Sequence, residues 1–144
     1  MKKILYILSA LLILASCNKD KGGDKTELTA ENLYGDWHST SLPITGEIYI
    51  SFLEDNTFEL YQQIGEGSHR LYRGTWALEG SLLTGKYNDG EDWAAAYNVA
   101  IADNVLTMTS NNDAAEVSVY EKSEVPAEVK DNCITVVKSS TRAF

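Results

Sequence analysis

The chain has 144 residues, of which 21 are acidic and 12 are lysine or arginine, so its formal net charge is −9. An acidic chain lacks the basic patches that nucleic-acid binding requires, and anionic lipid head groups would repel it. The two histidines and two cysteines do not stand at the spacing of metal ligands, so neither a metal nor a cofactor is expected.

The first residues have the three parts of a secretory signal peptide, which we place at 1–16. Two lysines follow the first methionine, the run 4–14 is almost wholly apolar, and residues 15 and 16 are small. The apolar run is shorter than the roughly 20 residues of a transmembrane helix. The alternative is an N-terminal anchor helix that is not cleaved.

The segment LASC, which ends at Cys17, resembles the lipobox of bacterial lipoproteins. In that family the cysteine thiol receives a diacylglycerol, the chain is cleaved just before the cysteine, and the new amine is acylated. The resemblance implies that Cys17 is the lipid attachment site and that the lipid joins the protein to a membrane, since stable anchoring takes more than one acyl chain. The alternative is a cysteine that follows a signal peptide by chance.

Lipidation would change the rest of the chain in three ways. Cleavage would remove only two lysines, leaving a net charge of −11 instead of −9, and Cys133 would have no intramolecular disulfide partner. Residues 17–27 would become a lipidated cysteine and a flexible tether, because NKDKGGDKTE is polar and contains Gly-Gly. Asn18 is not the aspartate associated with inner-membrane retention in enterobacteria, which favours the outer membrane.

The pattern after the tether predicts one helical turn and then strands only. Residues 28–34 are predicted to form the turn, with Thr29 as N-cap. Apolar residues then recur with a period of two, and no later segment has a helical period. Eight strands are predicted, at 35–41, 47–54, 57–64, 69–78, 82–88, 93–101, 104–109 and 115–121. Short strands with tight hairpins predict an all-β fold, a short eight-stranded antiparallel up-and-down barrel at 28–124.

The alternation assigns side chains to the two faces of the sheet. The predicted interior consists of Ile48, Ile50, Phe52, Phe58, Leu60, Gln62, Ile64, Tyr72, Gly74, Trp76, Leu78, Leu83, Gly85, Tyr87, Trp93, Ala95, Tyr97, Val99, Ile101, Leu106, Met108, Val117 and Val119. Gly74 and Gly85 predict bends or bulges. Tyr49, Tyr61 and Tyr120 fall on the outer face and would mark a partner surface if they are exposed together.

Two motifs carry a resemblance to a known family. GDW at 35–37 opens the first strand, and GTWALEGSLLTG occupies 74–85. Together with the strand count, they resemble the lipocalin-like (calycin-type) barrels, above all the small lipocalin-like lipoproteins of Gram-negative bacteria. The resemblance covers residues 28–122 and implies a structural role for Gly35 and Trp37, with the tryptophan closing one end of the barrel. The alternative, that Trp37 is simply a large core residue, also predicts a structural role for it.

The predicted interior includes a polar minority among aromatic walls, as small-molecule pockets do. The candidate ligand-binding residues are Gln62, Tyr72, Trp76, Tyr87, Trp93 and Tyr97. The alternative is that each tyrosine packs its ring inside and points its hydroxyl at solvent. A short barrel of eight strands has little spare volume, so a filled interior competes with a pocket.

The sequence offers few residues for metal binding or catalysis. His38 and His69 are expected at the surface or at strand ends. The loop NDGEDW at 88–93 could offer Asp89, Glu91 and Asp92 to a cation, but it lacks the spacing of an EF-hand and is favoured as a hairpin turn. No set of catalytic groups can be assembled, so the chain is not expected to be an enzyme.

Residues 125–144 follow the barrel pattern and contain a short apolar run. An edge strand, an interaction strand and a loose tail all remain open, and we favour a tail that packs along the outside or is partly mobile. The sequence therefore predicts a lipid-anchored barrel that binds a small apolar or amphipathic ligand. The alternative is a protein-interaction module of the envelope, a sensor or inhibitor with a filled barrel.

Overall fold

The computed structural model describes residues 28–137 and 143–144. The predicted signal peptide, Cys17 and the tether lie outside the described residues. A short helix, α1 (Ala30–Leu33), begins after Thr29, whose backbone N–H donates a hydrogen bond to Asn32 Oδ1 at 2.9 Å. Leu33 is fully buried against the barrel, so this turn closes one end of it.

Eight strands follow in a meander. They are β1 (Gly35–Ser41), β2 (Gly46–Phe52), β3 (Thr57–Ile64), β4 (Arg70–Glu79), β5 (Leu82–Tyr87), β6 (Tyr97–Ala102), β7 (Val105–Ser110) and β8 (Val117–Lys122). Each pairs antiparallel with the next, and β8 pairs antiparallel with β1. The predicted closed up-and-down barrel is confirmed.

Strand β6 begins four residues later than the predicted run. Trp93 still lies beside β5, since its backbone N–H donates to Gly85 O at 2.8 Å. Residues 94–96 leave the ladder, and regular pairing with β5 is limited to Leu82 and Leu83. The boundary between β5 and β6 therefore has the least regular strand pairing in the barrel.

The two ends of the barrel differ. Because successive strands alternate in direction, the connections 42–45, 65–69, 88–96 and 111–116 share one end, here called the long-loop end. The other end, the α1 end, carries α1 and the shorter connections. There Trp37 Nε1 donates to Leu33 O at 2.7 Å, and Lys122 Nζ lies 4.2 Å from the centroid of the Trp37 ring. Gly35 precedes Trp37 at φ +106°, a conformation that favours glycine.

Most predicted interior side chains are buried, and the last strand is the main exception. Val117 is exposed, whereas Ser118 and Tyr120 face inward and are buried. The register explains this difference, because Ser118 pairs with Met108 and Tyr120 with Leu106, both inside the barrel. The prediction that put Val117 and Val119 inside and Tyr120 outside was wrong by one residue. Ile64, at the end of β3, is also exposed.

The glycines within strands make room for rings and do not mark bulges. Pairing runs without a break through Gly74 and Gly85. A Cβ on Gly85 would come within 2.1 Å of the Trp93 ring, and one on Gly74 within 2.8 Å of the Phe58 ring. The predicted bulges at these positions are therefore absent. Glycine is required at 85 by the Trp93 ring and at 74 by the Lys86 backbone oxygen, 2.0 Å from a Cβ, as well as by the Phe58 ring.

The C-terminal residues add a helix that the sequence pattern did not predict. Helix α2 (Ala127–Asn132) follows Pro126, and strand β9 (Ile134–Thr135) pairs parallel with the start of β4. Less than two turns of helix cannot show a helical period, although Val125 and Val129 have the i, i+4 spacing of one apolar face.

Helix α2 covers the outer face of β2, β3 and β4. A second apolar cluster is buried there, formed by Tyr49, Tyr61, Leu71, Val125 and Val129, with Cys133 half-buried against it. The predicted outer tyrosine surface is therefore not exposed. Asp36 holds the start of this segment, because its Oδ2 accepts from the Val125 N–H at 3.1 Å and its Oδ1 accepts from the Ser51 hydroxyl at 2.6 Å.

None of the helices in residues 28–137 has the length and apolar character needed to cross a membrane. Every barrel strand, both helices and both apolar clusters lie within residues 28–144. The chain from residue 18 onward therefore contains all of the described packing.

Candidate functional site

All six predicted ligand-binding side chains lie on the inner face of the barrel. None is more than 8% exposed. They are Gln62, Tyr72, Trp76, Tyr87, Trp93 and Tyr97. The alternation of side chains along the strands thus predicted their inward orientation correctly.

Most of the rings lie towards the long-loop end, and Phe58 reaches them from the start of β3. Phe58 packs edge-to-face against Tyr87, with ring centroids 5.7 Å apart, and against Trp93, with centroids 5.2 Å apart. Tyr72 contacts Tyr87 in the same way, and Tyr97 contacts Trp93, each with centroids 6.0 Å apart. Edge-to-face pairs of this kind are favourable beyond the area that they bury. We call these five residues, together with Phe144 described below, the aromatic cluster.

Trp76 belongs to the α1 end. Its ring packs against Phe52, with centroids 5.4 Å apart, and against Tyr34, with centroids 6.1 Å apart. Its Nε1 donates to Thr57 O at 2.9 Å. Trp76 also pairs with Gly85 of β5 and shares a groove with Trp93, so it borders the rings at the long-loop end from the α1 side.

Phe144 completes the aromatic cluster, and no pattern in the sequence indicated this. It is 5% exposed, stacks on Trp93 and meets Tyr97 edge-on, with centroids 5.3 Å apart. Its backbone oxygen accepts a hydrogen bond from the Tyr87 hydroxyl at 3.0 Å. The expectation that the tail stays outside the barrel was wrong for this residue, which enters the barrel from beyond the strands.

Hydrogen-bonding groups lie among these rings. Burial, followed by the negative charge of Glu116, raises the pKa of Tyr97 to about 12, so its hydroxyl keeps its proton at neutral pH. The indole N–H of Trp93 is buried and has no acceptor among the described residues. The cluster therefore combines apolar faces with neutral hydrogen-bonding groups.

Two hollows border the aromatic cluster. A cavity of about 100 Å³ lies between β4, the end of β5 and residues 135–137, with Tyr72 and Tyr87 in its wall. An open groove of about 480 Å³ passes over Gly85 and has Trp93 and Trp76 in its wall. The first holds a few waters at most, so a larger ligand in the barrel would have to displace a side chain.

The two histidines converge on Glu47, which sequence spacing could not show. His38 Nε2 lies 2.9 Å from Glu47 Oε1, and His69 Nε2 lies 3.0 Å from Oε2. Tyr49 stacks on His38, with centroids 4.3 Å apart. Partial burial alone would raise the pKa of Glu47, but the hydrogen bonds and positive charges of the histidines bring it below its usual range. Glu47 of β2 thus connects His38 of β1 with His69, the residue just before β4.

The described residues hold no group of three or more His, Cys, Asp or Glu side chains arranged for a metal ion. The acidic loop is a hairpin turn, in which Gly90 has φ +91° and its N–H donates to Tyr87 O at 2.9 Å. Within it, Asp92 forms an ion pair with Lys86 at 3.0 Å.

One comparison with known proteins identifies the N-terminal residues. Residues 1–18 match the family model for the prokaryotic membrane lipoprotein lipid attachment site, and Cys17 lies within the matched segment. This chain is a lipid-anchored lipoprotein of the cell envelope with a closed eight-stranded β-barrel. Among curated proteins, none matches the chain.

Proposed function

We propose that this lipoprotein is a non-enzymatic, lipocalin-like carrier of the outer membrane, whose barrel binds a small apolar or amphipathic molecule. The observation that carries the proposal is the aromatic cluster, in which tyrosine hydroxyls and an indole N–H lie among stacked rings at one end of the barrel. Sites for small molecules are built in this way, with mostly apolar walls and a few polar groups that fix orientation.

The chain enters the barrel at the α1 end, which favours access of a ligand to the aromatic cluster from the long-loop end. The described chain begins at Leu28 and enters the barrel through α1, so the segment that leads to Cys17 meets the barrel at the opposite end. Ile44, Ile64 and Val117 are exposed at the long-loop end and give it an apolar rim. A rim of this kind favours the entry of an apolar molecule.

The outer membrane is the proposed location because the residue after Cys17 is asparagine. Separation of outer from inner membranes on a density gradient tests this part. The full-length protein is expected with the outer membrane, and Cys17→Ser, which cannot receive the diacylglycerol, is expected to be absent from that fraction. Recovery of the unaltered protein with the inner membrane would contradict the location.

The second candidate function is a protein-interaction module, an envelope sensor or inhibitor. Phe144 favours it, because a barrel filled by its own side chains needs no ligand. A partner would bind the loops, since α2 covers Tyr49 and Tyr61. Crosslinking in cells that traps a defined partner through the long-loop end would support this candidate.

Native mass spectrometry of the chain from residue 18 onward, offered lipid extracts of the envelope, separates the two functions. A carrier gains the mass of one small molecule per chain. Tyr97→Phe alters the inner face and should weaken the adduct, whereas Tyr61→Phe removes the same oxygen from the outer face and should not. A folded protein that gains no mass from any extract would contradict the carrier function.

A further inference from the structure

We infer that Phe144 occupies the ligand site of the barrel as a displaceable part of the chain, and that the ligand it stands in for is an aromatic molecule with a hydrogen-bond acceptor beside its ring. The inference rests on the proposed function and specifies its ligand class and its regulation. It is carried by the position of Phe144 within the aromatic cluster.

The contacts of Phe144 are those of a bound aromatic ligand. One face of its ring lies on Trp93, with centroids 4.9 Å apart and planes inclined by 27°. The edge of a second ring, Tyr97, closes the site at an angle of 88°. The backbone oxygen of Phe144 accepts the hydrogen bond from the Tyr87 hydroxyl. Two aromatic walls and one donor thus hold a flat ring and an adjacent acceptor.

Phe144 is not part of the barrel that holds it. The other phenylalanine of the cluster, Phe58, belongs to β3 and pairs with Gly74 of β4, so it cannot leave without breaking the sheet. Phe144 follows all eight strands of the barrel, and among the described residues the last paired segment before it is the two-residue strand β9. Between them, Val137 is 83% exposed. Withdrawal of Phe144 therefore breaks no strand pairing in the barrel.

The chemistry of the site restricts the ligand. The side chains of the aromatic cluster are apolar or uncharged, so they select for ring surface and not for charge. A flat ring matches the stacked position on Trp93, which a puckered ring fills poorly. A carbonyl or similar acceptor matches the Tyr87 hydroxyl, and a second acceptor could take the N–H of Trp93.

Occupation by Phe144 makes binding competitive. A ligand binds only the fraction of molecules from which Phe144 has withdrawn, so its apparent dissociation constant rises by the reciprocal of that fraction. A site that is open about one tenth of the time binds about tenfold more weakly than a permanently open one. The residue thus sets a threshold concentration below which the barrel stays closed.

Fluorine NMR of the unaltered sequence tests displacement directly. The chain has three phenylalanines, so the protein from residue 18 onward, labelled with 4-fluorophenylalanine, gives three signals, from Phe52, Phe58 and Phe144. The probe is N-acetyl-phenylalanine amide, which has a phenyl ring and a hydrogen-bond acceptor beside it. We expect the Phe144 signal to move to the position of an exposed ring as the probe saturates, while that of Phe52 stays fixed. The cyclohexyl analogue of the probe should have no such effect.

Calorimetry on two variants provides the matched comparison. Phe144→Ala should bind the probe at least about tenfold more tightly than the unaltered chain. Leu106→Ala removes another fully buried side chain from the core and should show no gain in affinity, which separates site opening from general destabilisation. Equal affinity in Phe144→Ala and the unaltered chain, or a Phe144 signal that does not move at saturation, would overturn the inference.

The same samples distinguish failure of the inference from failure of the proposed function. If envelope lipids add equal mass to both chains while the Phe144 signal stays fixed, the carrier function holds and the inference is wrong. If neither lipids nor the probe binds either chain, both are wrong.

Discussion

The ring of Phe144 lies on the ring of Trp93, which in turn lies across the face of Gly85 that has no side chain. Three residues, one from β5, one from the loop after it and one from beyond the last strand, therefore build one layer of the barrel interior. Gly85 makes room, Trp93 fills that room from the loop before β6, and Phe144 fills the remaining space from beyond the last strand. The first prediction follows from this order of packing.

Gly85→Ala should destabilise the barrel by about 1–3 kcal/mol, because the new methyl group would overlap the Trp93 ring. Urea denaturation measures the loss, with the exposed Thr84→Ala as a control that should change little. When Trp93→Leu is introduced first, the same Gly85→Ala change should cost less, since the smaller side chain can yield. Equal costs in both backgrounds would show that the ring is not the obstacle.

Trp37→Phe should cost about 1–3 kcal/mol of stability at the α1 end. The substitution keeps a large ring but removes the N–H that donates to Leu33 O, leaving a buried carbonyl without this donor. Tyr34→Phe, which changes the residue next to Leu33, is the control and should alter the free energy of unfolding by less than about 0.5 kcal/mol. A Trp37→Phe protein as stable as the control would contradict a role for the indole N–H.

Asp36→Ala should loosen the segment that covers the outer face of the sheet. Its carboxylate accepts from Val125 just before α2, and α2 in turn leads to the half-buried Cys133. We expect the Cys133 thiol to react faster with a disulfide reagent in this variant, since the reaction requires access to the sulfur. Glu124→Ala, at an exposed neighbour, should leave the rate unchanged. Equal rates in all three proteins would disconnect Asp36 from the packing of α2.

Glu47→Gln should show a pH-dependent loss of stability. The pKa of Glu47 in the folded chain lies below its ordinary value of 4.5, so the ionised carboxylate stabilises the fold above that pH. The contribution disappears as the pH falls through the folded pKa. The variant should therefore be less stable than the parent near neutral pH, with the difference shrinking below pH 4.5.

Urea denaturation across this pH range measures the effect, with Glu54→Gln as the control at an exposed carboxylate. The groups around Glu47 that also bear charge or titrate are His38, His69 and Tyr49. A difference between Glu47→Gln and the parent that stayed constant from pH 7 to pH 3 would contradict the interpretation.

The fold was predictable because strand signals are local. Period-two patterns and turn residues lie within about ten residues of one another, and they located all eight barrel strands. The phase of β8 was not predictable, because VSVY offers an apolar residue to both faces, and only the pairing of Tyr120 with Leu106 decides between them. Helix α2 was missed because it is too short to show a period.

The candidate site was predictable only in part, for a similar reason. Alternation identified the inner face and thus the inward orientation of all six ligand-binding candidates, but it gives no depth along the barrel and could not show that Trp76 packs against Phe52 and Tyr34. Phe144 is a single aromatic residue after a polar stretch, and its position depends on contacts across the whole chain. The meeting of His38 and His69 on Glu47 likewise depends on three strands.

The most direct test of the central claim is what the lipoprotein carries in its own membrane. The full-length protein would be isolated from cells, extracted with organic solvent and compared by mass spectrometry with a Trp93→Leu variant prepared in the same way. We predict that a small apolar or amphipathic molecule, near one per chain, accompanies the unaltered protein and is lost or strongly reduced in the variant. Identical extracts from the two proteins would contradict a ligand site at the aromatic end of the barrel.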